Sequence, residues 1–291
     1  MTLDPISRIR RFNRAVTTEV GALNQSFLGR GRPLGHARVL HAIDHFGSDL
    51  GTIRRHLDLD KTVLSRTLKA LEHEGLVQFE DNPNDARKRR ALLTETGQAE
   101  AAAYNALSDA QAQKVLDRHP RPDALLAAMD LVASALAAER MEIVTTDPRA
   151  PDAIACLEAY YAELAQRLER GFDVSLSADP EAADMLPPRG AFFVALSDGL
   201  AQGCVGLKGT DKGYAEIKRL WVAPSARGLG LAQRLMDSCA AAARDLGIDL
   251  LRLDTNSALP EAAALYRKLG WAEIDRFNDD PYPDLFFEKR L

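Results

Sequence analysis

Cysteine is scarce, and its three copies, Cys156, Cys204 and Cys239, all lie in one half of the chain without C-x-x-C spacing. That argues against a disulfide framework or a thiolate zinc site, and it fits buried small side chains in a reducing cytoplasm. No apolar run reaches spanning length and no hydrophobic signal core precedes the first helix, so a cytoplasmic protein without a membrane partner is expected. Histidine is absent after His119, which leaves any chemistry in the second half without an imidazole base. His41 and His45 stand four apart with His36 nearby, but no Asp, Glu or Cys cluster completes a ligand set, and no metal is expected.

What is present is ordinary in bulk and divided in charge. The 291 residues are 46% hydrophobic and 27% charged, and the length suits two domains that each bury a core. Residues 1–98 hold 16 Lys and Arg against 12 Asp and Glu, a net of +4. Residues 99–291 hold 21 against 30, a net of -9, which accounts for the overall -5. A basic front and an acidic back call for different partners.

The most specific stretch is Arg227-Gly-Leu-Gly-Leu-Ala232, between a strand-like run at 215–222 and a long amphipathic helix at about 228–246. A glycine-rich turn at a helix N-terminus leaves backbone N–H groups free and adds the positive end of the helix dipole, a combination that binds phosphate. No Gly-Lys-Ser/Thr follows, and Gln233 stands where a dinucleotide fingerprint needs its third glycine. The pattern R-x-x-G-x-A, read as Arg227, Gly230 and Ala232, instead resembles the acyl-CoA pyrophosphate loop of the GNAT acetyltransferases. Two further blocks in the family's order, Glu216-Ile-Lys-Arg-Leu-Trp-Val222 and Ala262-Ala-Ala-Leu-Tyr-Arg-Lys-Leu-Gly-Trp271, extend the resemblance over residues 141–291.

That resemblance implies an α/β fold whose mostly antiparallel sheet splays to admit the pantetheine arm. It implies acetyl-CoA as donor, held by Leu220, Trp221 and Val222 at the strand end, by Arg227, Gly228, Leu229, Gly230, Leu231 and Ala232 in the loop, and by Tyr266. Direct attack by an amine on a thioester needs a base for the amine proton and a donor for the departing thiolate. Glu216 is the base candidate, placed by period-two alternation on one face with Lys218, Leu220 and Val222; water is the alternative base, and a structural carboxylate fits as well. Tyr266 is the acid candidate, with core packing beside Leu265 and Leu269 as the other reading. Many relatives carry Asn seven residues before this tyrosine, where Leu259 stands; Asn256, at the end of a strand, is the substitute considered for the cofactor contact. Asp279, Asp280 and Asp284 lie in a loop at 278–284 that reads either as a solvated acidic turn or as an attractor for a cationic amine.

The front half reads as helices. Asp4-Pro5 opens one that carries Ile9, Phe12, Val16, Val20, Leu23 and Phe27 at helical spacing to Gly29. Further helices are expected around Val39, Leu40 and Ile43, at 49–56, and at 60–74, followed by a strand at 76–79. In the 60–74 helix Leu64, Leu68 and Leu71 face inward, leaving Lys61, Thr62, Ser65, Arg66 and Lys69 outward, a pattern that suits a major groove or plain solvent. A turn-rich cationic tip over 81–90 then carries Arg87, Lys88, Arg89 and Arg90, before a return strand at 92–94. Asp85, Arg87, Leu93, Thr94 and Gly97 match the D-x-R and L-T-x-x-G signature, so the segment resembles the wing of a MarR-type winged helix-turn-helix. The resemblance implies that Arg87 enters the minor groove, oriented by Asp85. It also implies dimerisation through the first helix and two helices at about 95–118 and 122–140, whose apolar faces could equally pack within the chain.

The expected protein is therefore multidomain: a mainly-α, MarR-like winged helix-turn-helix over residues 1–140 and an α/β GNAT acyl-CoA N-acyltransferase fold over 141–291. It reads as a homodimeric regulator that binds double-stranded operator DNA and as an enzyme that acetylates an unidentified amine. An acetyl-CoA-sensing regulator with little turnover, and an acetyltransferase whose front half only dimerises, are the alternatives.

Overall fold

The computed structural model describes residues 4–46, 49–82, 85–176 and 182–291, apart from the side chains of 46 and 85–88. It divides into two compact units, Met1–Leu125 and Leu126–Leu291. No helix among the described residues is long and apolar enough to cross a membrane.

In the first unit, α1 (Pro5–Val20) begins as its sequence dictates: the Asp4 carboxylate accepts from the Ser7 N–H and proline takes the first turn. It stops at Gly21, eight residues before the expected stop at Gly29. Gly21 adopts φ 69° and its N–H bonds back to Thr17 and Thr18, which closes the helix. Phe27 then leaves the α1 stripe, enters a short 3-10 turn (Phe27–Gly29) and stacks in the core on Tyr104 at 5.9 Å between centroids. Helices α2 (Leu34–Phe46), α3 (Leu50–Leu57) and α4 (Lys61–His73) form the core with Leu40, Ile53, Leu64, Leu68 and Leu71. Asp49 and Asp60 cap α3 and α4 through the N–H groups of Thr52 (2.8 Å) and Thr62 (2.7 Å).

The hairpin β1 (Val77–Asn82) and β2 (Asp85–Leu93) follows, and helix α5 (Glu95–Asp117) is fastened to it. Thr94 accepts from the Gly97 N–H and donates to the Gly75 carbonyl, and a Cβ at Gly97 would lie 1.9 Å from the Leu76 oxygen. That is the physical content of the L-T-x-x-G spacing. Arg87 through Arg90 lie within β2 rather than in the expected turn-rich tip: Arg90 and Arg89 pair with Glu80 and Asp81, and a register shift then sets Asn82 opposite Asp85 and leaves 86–88 in a bulge.

The second unit is a seven-stranded sheet in the order β3-β4-β5-β6-β7-β9-β8. Its strands are β3 (Glu142–Thr146), β4 (Ala191–Ser197), β5 (Leu200–Gly209), β6 (Ala215–Val222), β7 (Leu250–Thr255), β8 (Ala272–Ile274) and β9 (Leu285–Arg290). Helix α6 (Pro122–Ala137) precedes them, and the last turn of the expected helix is 3-10 (Ala138–Arg140). Helix α7 (Pro151–Arg167) covers one face with Cys156 and Leu157 against Phe192 and Val194. Helices α8 (Leu231–Asp245) and α9 (Pro260–Lys268) cover the other with Leu235, Cys239 and Tyr266 against Leu207, Ile217 and Phe287.

Every strand pair is antiparallel except β6 with β7, which runs parallel and pairs only from Ala215↔Leu251 to Ile217↔Leu253. Beyond Ile217 the two strands part. On its other edge β6 carries a bulge against β5: Cys204 faces Trp221 but Gly206 faces Lys218, and Arg219 takes φ 58° to absorb the extra residue. The bulge reverses the alternation. Leu220 and Val222 pack with Ala215 and Ile217 on the α8 side, whereas Glu216 and Lys218 point to the opposite face. The expected shared face of Glu216 with Leu220 and Val222 is corrected accordingly.

Candidate active site and nucleic-acid interface

The parting of β6 and β7 opens two cavities that share a wall. The larger, about 420 Å³, runs from the Arg227 loop to Tyr266. Gly228 and Gly230 both adopt φ 78°, and a Cβ on either would meet open space, so it is the backbone conformation and not crowding that requires glycine there. Gly230 stands outside the helix as the N-cap of α8, with no side chain capping the first turn. The N–H groups of that turn are thus offered to an anion, with the helix dipole behind them. Leu231 and Ala232 line the cleft beside Gly228 and Gly230, and Leu220, Trp221 and Val222 form its β6 wall. Leu229 lies apart from the lining and packs on the core.

Arg227 is less free than its motif suggests. Its Nε donates to the Val222 carbonyl at 3.0 Å and its Nη2 to Glu163 at 2.5 Å. Glu163 also accepts from the Trp221 indole at 3.0 Å; burial opposes its ionisation, but these bonds outweigh burial and hold the carboxyl below its ordinary range. Glu163, Arg167 and Lys268 line the same cleft and were not singled out from sequence. Helical spacing on α7 hides the first two, since Glu163 and Arg167 read as an ordinary i, i+4 surface pair, and Lys268 is one of the basic residues in the last turn of α9.

The smaller cavity, about 120 Å³, lies on the far side of the splay and shares Tyr160, Leu220, Leu259 and Tyr266 with the larger. Tyr266 is 5% exposed, with its ring against Phe287 (5.6 Å) and Trp271 (6.3 Å). Burial, helped by the nearby Asp254 charge, raises its phenol well above the ordinary value, so it stays protonated and able to donate. Tyr160 is a second phenol at this junction, which the sequence marked only as part of a helix.

Glu216 is buried but lines neither cavity. Burial pushes its carboxyl up, with Lys218 and Lys208 pulling the other way. Its neighbour Lys218 does line the smaller cavity and donates to both oxygens of Asp254, at 2.9 and 2.8 Å. Burial would discharge Lys218, yet Asp254 outweighs it and raises the ammonium's pKa. Asn256 lines the smaller cavity and not the larger, and its amide is committed to the Tyr282 carbonyl (2.6 Å) and the Ala258 N–H (2.8 Å). Of the three loop carboxylates, Asp279 is exposed, Asp284 holds the Ser257 N–H and hydroxyl, and Asp280 is buried in the cavity wall.

In the first unit Lys61, Thr62, Ser65, Arg66 and Lys69 are all exposed on α4, opposite the buried Leu64, Leu68 and Leu71. Arg89 is exposed and lies over the Phe79 ring at 4.7 Å, on one wall of a groove that also takes in Lys61, Ser65 and Lys69. Arg90 turns the other way, half-buried, and pairs with Glu80 at 3.1 Å. The side chains of Asp85, Arg87 and Lys88 lie outside the described residues. His41 and His45 stack on each other at 5.4 Å, and no group of three metal-ligating side chains occurs among the described residues.

Comparison with known proteins separates the same two parts. Residues 129–271 match the Acetyltransferase (GNAT) family, and residues 30–88 match the MarR family. An IAA acetyltransferase of Azospirillum brasilense is 40% identical over 105 residues, covering 34% of this chain and 67% of that protein. An uncharacterized N-acetyltransferase of Schizosaccharomyces pombe is 32% identical over 126 residues, 41% of this chain and 77% of its own length. Among solved structures, a GNAT-family acetyltransferase from Staphylococcus aureus aligns over 52% of this chain and 98% of its own, at 20% identity and a TM-score of 0.44.

Proposed function

Since this chain belongs to the GNAT acetyltransferase family and carries a MarR-family segment ahead of that domain, we propose that it couples a DNA-binding regulator to an amine acetyltransferase in one polypeptide. The protein is an acetyl-CoA-dependent N-acetyltransferase; the acceptor, the residue roles and the operator are the proposed part. The observation that carries the reading is the run of one cleft from the uncapped N-terminus of α8 to Tyr266 at the β6–β7 splay. A diphosphate suits one end and a reacting thioester the other.

In this reading backbone N–H groups of the Gly228–Ala232 turn hold the pyrophosphate, and the β6 edge around Val222 lies along the pantetheine arm. The acceptor enters from the smaller cavity as an ammonium and first loses a proton, through water, to Glu216, which passes it on to solvent. Its nitrogen then attacks the thioester carbonyl, the C–N bond forms and the C–S bond breaks. The departing sulfur takes a proton from Tyr266, and the proton lost by the nitrogen restores the phenol. Glu216 acts as base at one remove, through water, because it stands behind Lys218 and off both cavities.

For the regulator half, α4 lies in the major groove through Lys61, Thr62, Ser65, Arg66 and Lys69, and the β2 cations Arg87, Lys88 and Arg89 reach the backbone or minor groove. Two copies are needed for a two-fold operator, and α1 supports that, since Ile6, Ile9, Phe12 and Val16 are all exposed on it. The placement of Glu216 away from the cavities favours the second reading, an acetyl-CoA sensor with little turnover. Thiol release from acetyl-CoA across a panel of amines, run beside an operator-binding assay, separates the two.

A further inference from the structure

The smaller cavity has walls of two kinds. One is acidic: Asp254 and Asp280 face it, Glu216 stands behind, and Lys218 is the cation set among the carboxylates, while Arg219 also lines the cavity, 6.0 Å over the Tyr161 ring at the far end of the aromatic row. Lys218 spends its short contacts on Asp254, which also accepts from Asn278 at 2.6 Å. Asp280 is left with the longer ones, 3.6 Å to Lys218 and 3.4 Å to the Tyr282 N–H, although its side chain is only 7% exposed. A buried carboxylate held at such distances is incompletely compensated, and a cation brought into the cavity would complete it.

The other wall is aromatic. Tyr161 stacks on Phe172 at 5.4 Å and Phe172 meets Tyr282 at 4.8 Å, the three rings forming a row that ends two residues from Asp280. The arrangement is rigid. The Tyr282 hydroxyl accepts from the Asp173 N–H and donates to its carbonyl, while Arg276 donates to the Asp280 and Pro283 carbonyls at 3.0 and 2.7 Å. Asn256 holds the Tyr282 carbonyl from the opposite strand. The Asp280 backbone and the Tyr282 ring are therefore both fixed before any ligand arrives, in the lining of one cavity, and a carboxylate and aromatic rings in one cavity suit an alkylammonium on an apolar body.

We propose that the acetyl acceptor is a small primary amine on an apolar, aromatic-sized body, its ammonium seated on Asp280 and its body against Phe172 and Tyr282. The proposal rests on the acetyl-transfer reading for what happens next, but not for the binding itself. Asp280 thus sets specificity, while Asp279 and Asp284 of the same loop do not touch the acceptor.

The test is calorimetry on the full-length protein with coenzyme A bound, using phenethylamine, methylamine and 2-phenylethanol as probes. Phenethylamine should bind at least tenfold more tightly than either control, which lack the body or the charge. Asp280→Asn should weaken phenethylamine at least tenfold, Phe172→Leu should weaken it several-fold, and coenzyme A affinity should hold in both, since neither side chain lines the larger cleft. Equal phenethylamine affinity in wild type and Asp280→Asn, or no preference over methylamine, overturns the proposal. If Asp280→Asn loses coenzyme A as well, its fold is impaired and Phe172→Leu decides by the same criterion. Phenethylamine that binds as described but is never acetylated leaves the amine site standing and sinks the acetyl-transfer reading instead.

Discussion

Lys218 grips both carboxylate oxygens of Asp254, at 2.9 and 2.8 Å, while Glu216, two residues before it on the same strand face, stays 4.0 Å away. The ammonium is thus committed across the β6–β7 splay and only grazes its strand neighbour. Glu216 is left buried with its charged form disfavoured, and this has a consequence for stability. The folded state holds the Glu216 proton more tightly than the unfolded chain does, so stability falls as pH rises from the ordinary Glu range through the raised value, then levels off. Glu216→Gln should therefore gain stability at neutral pH relative to wild type, with the gain shrinking as the pH falls through the raised value and levelling off below about 4. Chemical denaturation across pH checks this; a variant less stable at pH 7 than at pH 4, relative to wild type, contradicts it.

The same variant should lower kcat/KM, and the fall should be steepest at low pH, where most of the acceptor carries the extra proton. Acetyl-CoA affinity should stay within about twofold, since Glu216 does not line the cofactor cleft. A pH–rate profile identical to wild type leaves water as the base.

At the phosphate turn, charge and backbone strain can be separated. Gly230→Ala forces a Cβ into φ 78° at a cost of roughly 1–2 kcal/mol, in open space, and should leave acetyl-CoA affinity within a few-fold. Gly230→Glu has the same backbone cost plus a carboxylate facing the pyrophosphate, and should lose more than tenfold in affinity. Equal affinities in the two variants would remove the turn from the cofactor site.

On the regulator side, Arg66→Ala and Arg87→Ala should weaken operator binding by about 1–3 kcal/mol each where they read bases, or lower the salt slope by about 1 where they meet phosphate. Arg90→Ala should cost less, because Arg90 is already paired with Glu80. Acetyl transfer should be unchanged in all three. An Arg90 variant that loses more than Arg66→Ala would relocate the interface.

How much of this was legible in the sequence depends on whether the signal was local. Caps are local, so Asp4, Asp49 and Asp60 marked helix starts that the structure keeps, whereas the Thr94 cap was read only as part of the return strand. The Gly228 and Gly230 turn was legible for the same reason, as its positive φ needs glycine wherever it occurs. The bulge at Arg219 was not, because it depends on a register shift against β5, and it moved Leu220 and Val222 to the other face. Nor were the walls of the smaller cavity, which bring Tyr160, Asp254 and Asp280 together from a helix, a strand and a loop. The overlong α1 was a failure of periodicity alone: Leu23 and Phe27 continue the spacing, but Gly21 ends the helix and Phe27 is drawn into the core by Tyr104. Asn256 fell between the two, rightly placed at the end of β7 but bonded to its own loop.

The central claim is that acetyl-CoA reacts beside Tyr266, at the meeting of the two cavities. Tyr266→Phe keeps the ring against Phe287 and Trp271 and deletes only the hydroxyl, so the melting temperature should hardly move. The measurement is thiol release at saturating acetyl-CoA and a saturating amine that wild type accepts, with acetyl-CoA affinity measured alongside. Loss of the general acid should slow turnover by roughly 10²–10⁴-fold with the affinity unchanged. Wild-type turnover in Tyr266→Phe, at wild-type affinity, would contradict the account.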